Sequence, residues 1–576
     1  MKNILSDSSD FSKIIKGGYV YVDKTAILHD LISNGKGSRY FISRPRRFGK
    51  SLMISTLEAI FQGRRELFEG LAIAQKGYDW KKYPVIHLDM SAVLADNIEE
   101  MKKNIVNMIR LKAHEAGVEM GLDNDTPSSS FNTFINEMAR KHGSQLVVLV
   151  DEYDAPVNRL IEQDADSTLV SSVLHDFYGQ LKVNDSHIRF LMMTGVSKFA
   201  KISVFSGLNN LNDLTLEPEC ADLLGYTIKE VRDCFSEHIQ DMAKVVGEKP
   251  EATLQELIAW YDGYRFSPYS LIKVTNPVSL GSALTRKRFE PFWDETGRST
   301  LIYKHLKNRQ IVPAQLNHVE GDKSDLNFCD ISDTQSPALL FQTGYLTIEE
   351  KISEDRFRFC IPNKEVEIAL NSGMLSYIYG GAKSRVLSTL NDACDRLSRD
   401  PSQVSVILNE TLCAAFDAIP YDWRIEDEPE ARRMFLFYCS LMGATILGEV
   451  HSSKGRADAV LEFDKAVFVF EFKYDHTAEI ALEQAEQKMY AGPFMNGNRA
   501  IYLVGVNYNP EKRNIDNPLC KELKRDAKGI WIASNLDISV GASGPTGPYN
   551  GEEAGSVVMS MAEEASLSSE TSGQAL

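Results

Sequence analysis

The chain has 576 residues, of which 43% are hydrophobic and 25% charged, and a net charge of −17. A chain this long outgrows a single hydrophobic core, so about two to four domains are expected, and its acidic balance excludes a generally basic nucleic-acid coat protein while leaving room for a local basic groove. The N-terminus lacks a basic-then-apolar leader, no apolar run approaches the roughly 20 residues of a membrane span, and the eight cysteines form no C-x-x-C pair, so a protein without a membrane partner in a reducing cytoplasm is expected.

In chain order, Tyr40-Phe41-Ile42 predicts a short strand, Arg44 to Gly49 a loop, and Ser51-Leu52-Met53-Ile54 the opening of a helix. Pro84 to Asp89 predicts a strand, and Met101 to Ala116 a helix. Leu146 to Val150 is a continuous apolar strand ending in Asp151-Glu152. Leu169, Val173, Phe177 and Leu181 fall at the spacing of one helical face, and Ile188 to Met193 is a further strand. Buried strands alternating with helices imply a parallel sheet with helices on both faces over residues 1–215. Residues 216–385 turn mostly helical, with short strands such as Gly344 to Ile348, and are expected to form a lid or connector. Residues 386–425 are a helical lead-in to an α/β unit that extends to 535. From 536 the chain is expected to be a disordered tail, and from Gly541 it has no Lys or Arg and too little apolar content to fold alone.

Arg44-Pro45-Arg46-Arg47-Phe48-Gly49-Lys50-Ser51 ends in G-K-S, and its place between strand and helix fits a phosphate loop. Such a loop needs backbone N–H groups facing the phosphates at a helix N-terminus. Lys50 would reach the β- and γ-phosphates and Ser51 would ligate Mg²⁺. Arg44 stands where the pattern has its first glycine, and Pro45 removes an N–H. The apolar strand that ends in Asp151-Glu152 suits the partner motif. Asp151 would hold Mg²⁺, usually through water, and Glu152 would polarise the attacking water. Thr194 and Ser197, after the next strand, are candidates to sense the γ-phosphate, or simple turn residues. Arg44, Arg46 and Arg47 could neutralise the triphosphate or act on a neighbouring subunit in a homo-oligomer, or could pair with sheet-edge acids.

A second constellation starts at Asp458, in the strand Gly455 to Leu461. Val467 to Lys473 is a second strand, carrying Glu471-Phe472-Lys473. Glu471 and Lys473 are two apart and project from one face, and a hairpin can bring Asp458 beside them. This suits metal-dependent phosphodiester hydrolysis. Asp458 and Glu471, with a backbone carbonyl near Phe472, would hold one or two Mg²⁺, which would polarise the phosphate and acidify a bound water. Lys473 would orient that water or stabilise developing charge. On the following helix Gln484 and Lys488 share a face and could reach the site, and Glu449 is a weaker additional carboxylate. The plain alternative is an exposed hairpin with a Glu471–Lys473 salt bridge.

Around these constellations the chain resembles the AAA-ATPase-like proteins with a C-terminal PD-(D/E)XK nuclease superfamily domain. The phrases that carry the resemblance include Tyr21-Val22-Asp23-Lys24-Thr25, Arg44 to Leu52, Val150 to Asp154, Thr194 to Lys198, Phe205-Ser206 and Asn209-Asn210-Leu211. Further on come Trp260 to Tyr264, Asn276-Pro277, Gln342 to Leu346, Ile361-Pro362-Asn363, Gly455 to Asp458 and Glu471-Phe472-Lys473. The resemblance runs from about residue 10 to 535. It implies an N-terminal P-loop NTPase, a helical connector and a restriction-endonuclease-like α/β domain. It makes the R-P-R-R-F-G-K-S loop, with Arg46, Arg47, Phe48, Gly49, Lys50, Ser51 and Leu52, the family's own variant. It also carries site roles onto Asp458, Glu471, Lys473 and Gln484. Ala485 departs from the branched apolar residue usual there, which is a packing change.

The expected function is an ATP-binding and ATP-hydrolysing switch coupled to a Mg²⁺-dependent nuclease acting on nucleic acid, with DNA the expected partner. The alternatives are a regulatory ATPase whose nuclease-like domain binds nucleic acid without cutting it, and a non-enzymatic protein using ATP as a structural ligand. Asn209, Asn210 and Asn276 have no assigned chemistry.

Overall fold

The computed structural model describes residues 1–5, 8–33, 37–121, 126–162, 167–196, 198, 210–293, 302–303, 306, 311, 313–316, 318–327, 337–379, 383–419, 425–442, 445–446, 451–452, 455–463, 465–488, 490–495, 499–525 and 531–535. Ser197, Phe205-Ser206, Asn209, Glu449 and the expected tail from 536 lie outside the described residues.

The N-terminal sheet has five strands: β1 (Arg39–Ser43), β2 (Val85–Asp89), β3 (Leu146–Asp151), β4 (Ile188–Gly195) and β5 (Asn212–Asp213). Their order is β2-β3-β4-β1-β5, and every pairing is parallel. Each residue of β3 is buried, as its unbroken apolar run requires in a sheet covered on both faces. One face packs on the Lys50–Phe61 helix through Ile54 and Leu57. The other packs on the helices Ile98–Glu115, Pro127–His142 and Ser167–Val183. The stripe expected on that last helix is displaced. Leu169 is 56% exposed, and the buried side chains are Val170, Leu174, Phe177, Tyr178 and Leu181. The face that meets the sheet is thus rotated by one residue at its start.

The middle of the chain holds a three-stranded antiparallel sheet of β6 (Val319–Asp322), β7 (Thr347–Lys351) and β8 (Arg356–Cys360), in the order β6-β8-β7. The strand expected over Gly344 to Ile348 starts instead at Thr347. Residues Ala338–Thr343 are a helix, and Gly344 ends it in the left-handed conformation.

The C-terminal strands are β9 (Thr445–Ile446), β10 (His451–Ser452), β11 (Gly455–Arg456), β12 (Ala459–Glu462), β13 (Ala466–Tyr474), β14 (Ala500–Asn509), β15 (Asn514–Ile515), β16 (Leu519–Arg525) and β17 (Trp531–Asn535). Their main sheet runs β17-β16-β14-β13-β12-β9, with β15 on β14 and β10 paired with β11 apart from it. The expected strand over Gly455 to Leu461 is broken at Ala457-Asp458 into β11 and β12. β12 and β13 form an antiparallel hairpin, and β13 connects to parallel β14 through the Ala478–Gln487 helix. One apolar core continues from Phe48 and Phe190 through Tyr264, Trp293 and Phe341 to Phe435, Phe470 and Phe472.

Candidate functional site

β1 feeds the loop whose end, Gly49, adopts a left-handed φ of 92° and caps the Lys50–Phe61 helix without a side-chain hydrogen bond. The N–H groups of the first turn are thereby left for a ligand, at the positive end of the helix dipole. Lys50 curls back over the loop, donating from Nζ to the Arg44 and Pro45 carbonyls, each at 3.0 Å. Burial pulls its ammonium below the usual lysine range, against the pull of Glu152, Asp151 and Asp154.

Parallel pairing puts the ends of β1, β4 and β3 side by side. Asp151 closes β3, and its Oδ1 accepts the Thr194 hydroxyl from β4 and the Glu152 N–H at 3.1 Å. Glu152 takes a left-handed φ of 50°. Burial raises its carboxyl, with Lys50 opposing and Asp151 adding to the rise. Asp154, for which the sequence suggested no role, is buried and accepts the Val196 N–H at 3.2 Å and the Asn158 amide at 3.0 Å.

A cavity of about 410 Å³ opens beside the loop, and its lining includes Arg47, Phe48, Gly49, Lys50, Ser51, Leu52 and Glu152. Its lining also includes Tyr21 and Val22 from the N-terminal segment, Lys24, and the apolar Leu223, Leu224 and Phe235. A lining that combines loop cations with apolar side chains suits a polyphosphate carrying a planar base. Arg46, Asp151 and Thr194 do not line it, and Arg46 is exposed. Arg44, expected to neutralise phosphate or pair with an acid, is instead turned into the core. At 1% exposure its guanidinium donates to the carbonyls of Ser43, Thr215 and Cys220 and lies 4.3 Å over the Phe266 ring. Its burial pulls it down to about 10.

The phrases without chemistry in the sequence pack around this loop. Lys24 donates to both Glu230 oxygens, at 2.6 and 2.7 Å, fixing the N-terminal segment to the Ile228–Val246 helix. Tyr264 meets the Phe48 ring edge-on at 4.8 Å. Asn276 caps the Pro277–Arg286 helix by accepting the Val278 and Ser279 N–H groups. The Lys198 N–H donates to Gln342 Oε1 at 2.6 Å. Arg47 donates to the Phe292 carbonyl at 2.8 Å. The next N–H, of Trp293, donates to Glu365 Oε1 at 2.8 Å. Glu365 is fully buried, and burial pushes it up to about 7.

The second constellation is assembled by the β12–β13 hairpin. Ala459 pairs with Phe470, so Asp458 meets the end of β13, and its Oδ2 accepts the Phe472 N–H at 2.7 Å. Glu471 Oε1 accepts Lys473 Nζ at 2.8 Å and the Gln484 amide. The Glu471–Lys473 pair is thus present, but Glu471 is 2% exposed, unlike a surface salt bridge. Its Oε2 has no hydrogen-bond partner among the described residues. Burial, and next Asp458, raise the Glu471 carboxyl well above its usual range. An orphaned buried carboxylate oxygen beside a second carboxylate suits a hard cation. Asp458 and Glu471 would be its protein ligands. Lys488 stands just past the helix that carries Gln484. The sequence missed Arg432, on the Glu428–Leu441 helix, whose guanidinium lies 3.0 Å from Asp458 Oδ1.

Residues 7–205 match the family described as predicted AAA-ATPase, and residues 426–517 match the PD-(D/E)XK nuclease superfamily. A curated relative, the "Uncharacterized protein in vnfD 5'region" of Azotobacter chroococcum mcd 1, is 32% identical over 518 residues, covering 88% of this chain and 96% of that protein. The solved structure of the Aeropyrum pernix ORC2 protein in its ADP form aligns with 62% of this chain and 92% of its own, at 11% identity and a TM-score of 0.28. No helix among the described residues is long and apolar enough to cross a membrane.

Proposed function

Because the chain belongs to the family of AAA-ATPase-like proteins that carry a PD-(D/E)XK nuclease superfamily domain, we propose that it binds and hydrolyses ATP at the first site and cuts nucleic acid with Mg²⁺ at the second. The observation that carries the nuclease reading is the convergence of Asp458, Lys473 and Gln484 on the buried Glu471, from a strand start, the same strand and a separate helix.

At the first site Lys50 and the first-turn N–H groups would hold the phosphates and Ser51 and Asp151 the cation, while Thr194 fixes Asp151 by its hydroxyl. Glu152 accepts the proton of the attacking water, a task that its burial-raised carboxyl favours. At the second site Asp458 and Glu471 would hold Mg²⁺, which would polarise the phosphodiester and acidify a water. Lys473 supplies positive charge to the phosphate oxygens, and Gln484 holds Glu471 in place.

The two sites are coupled through the Lys364–Tyr379 helix. Glu365 at its start is tied to the Phe292-Trp293 segment held by Arg47, and the Ser440 hydroxyl of the Arg432-bearing helix donates to Asn371 at 3.3 Å. The reading is tested by cleavage of labelled single-stranded and duplex DNA and RNA with Mg²⁺, with and without ATP, in wild type, Asp458→Ala and Lys50→Ala. Cutting that is lost in Asp458→Ala and responds to ATP only when Lys50 is present supports it. One observation favours a second reading, a regulatory ATPase whose nuclease-like domain binds without cutting: Arg432 already neutralises Asp458. Absence of cutting under every condition, with ATP still bound, would select it.

A further inference from the structure

Arg432 lies outside every motif of the sequence, yet it reaches the centre of the second site. Its Nη2 is 3.0 Å from Asp458 Oδ1, and the other Asp458 oxygen accepts the Phe472 N–H. Lys473 lies on Glu471. The site therefore pairs two carboxylates with two cations, and a divalent ion settling between Asp458 and Glu471 meets both positive charges. The backbone that carries Arg432 is held by packing, because Phe435 of the same helix lies against Phe470 at 5.3 Å and Phe472 at 5.5 Å. The side chain is 30% exposed.

We propose that Arg432 makes metal loading of the second site conditional on nucleic acid. With no phosphate present, its guanidinium holds Asp458 and competes with the cation. A phosphodiester offers two non-bridging oxygens that match the planar guanidinium fork, and draws Arg432 off Asp458. The cation and the nucleic acid then strengthen each other's binding by the same factor, as linkage requires. Such a device keeps the site unloaded until substrate arrives. The inference rests on the reading of Asp458 and Glu471 as a cation site for nucleic-acid chemistry.

The test is calorimetric titration of Ca²⁺ into the full chain without nucleotide, alone and with a saturating short DNA duplex, which Ca²⁺ should leave uncut. The proteins are wild type, Arg432→Met, Arg432→Gln and Asp458→Asn, each checked for an intact thermal transition; the glutamine variant keeps a hydrogen bond if the methionine variant fails to fold. Without DNA, the uncharged Arg432 variants should bind Ca²⁺ about tenfold tighter than wild type. With DNA, wild type should gain affinity while the Arg432 variants gain little. If Asp458→Asn loses the Ca²⁺ site but the Arg432 variants bind no tighter than wild type, the inference fails alone. If Asp458→Asn binds Ca²⁺ as wild type does, the cation-site reading fails and the inference with it.

Discussion

Gly344 lies against Pro45 of the phosphate loop so closely that a Cβ added to it would fall 2.8 Å from the proline Cβ. Gly344 also has a φ of 88°, which L side chains rarely adopt. A segment some 300 residues downstream thus forms the outer wall of the loop, next to Gln342, which accepts the Lys198 N–H. The Gln342 to Leu346 phrase thus meets the Arg44 to Ser51 loop by packing alone.

Gly344→Ala should therefore cost more than a left-handed backbone alone. The backbone accounts for about 1–2 kcal/mol, and overpacking against Pro45 adds about 1–3 kcal/mol. Gly247→Ala is the control, because it has φ 78° with open space where the Cβ would be. Denaturant midpoints should fall further for Gly344→Ala than for Gly247→Ala, and affinity for a fluorescent ATP analogue should drop only in the former.

Lys50→Ala and Glu152→Gln should separate binding from turnover. Removing Lys50 takes away the only buried loop cation that lines the cavity among the described residues. ATP affinity should fall about tenfold to a hundredfold. Glu152→Gln should keep ATP bound and slow hydrolysis by about 10²–10⁴-fold. Unchanged turnover in Glu152→Gln would remove that residue from the mechanism.

Lys473→Ala should reduce cutting by about 10²–10³-fold, as expected when a group aimed at developing charge is removed. Gln484→Ala should have a milder effect, since Lys473 still holds Glu471 Oε1. Gel shifts with the same duplex separate the roles: binding should survive in both variants. Loss of binding parallel to loss of cutting would make Lys473 a substrate anchor.

Glu365 sets a pH dependence of stability. Its carboxyl, pushed up to about 7 by burial, binds more protons folded than unfolded between the ordinary glutamate range and 7. Stability contributed here is therefore present at low pH and is lost as pH rises through that window, with the full loss above 7. Glu365→Gln keeps an acceptor for the Trp293 N–H and removes the titration. Above pH 7 it should be more stable than wild type by roughly 1–3 kcal/mol, with a flatter profile between pH 5 and 8. Parallel unfolding curves for the two proteins across that range would contradict this.

The sequence alone determined what depends on near neighbours in the chain. Apolar runs marked β3 and β13, G-K-S marked a helix start after a strand, and the i, i+2 spacing put Glu471 and Lys473 on one face. A short hairpin then brought Asp458 to them. These features repeat with the period of a helix or strand, or lie within one turn of chain, so backbone geometry fixes them locally.

The tertiary structure decided the rest. Lys24 and Glu230 are 206 residues apart, and nothing in either segment names the other. The loop sequence leaves Arg44 a choice between phosphate and sheet-edge acids, and packing gives its N–H groups instead to the carbonyls of Thr215 and Cys220. Leu169 has the spacing of a buried face, but the sheet selects the stripe one residue further on. Arg432, Gly344 and Glu365 act through partners brought near by packing of the shared core. Burial, which raises Glu365 and orphans Glu471 Oε2, is a property of everything that surrounds a side chain and is not encoded in its own few neighbours.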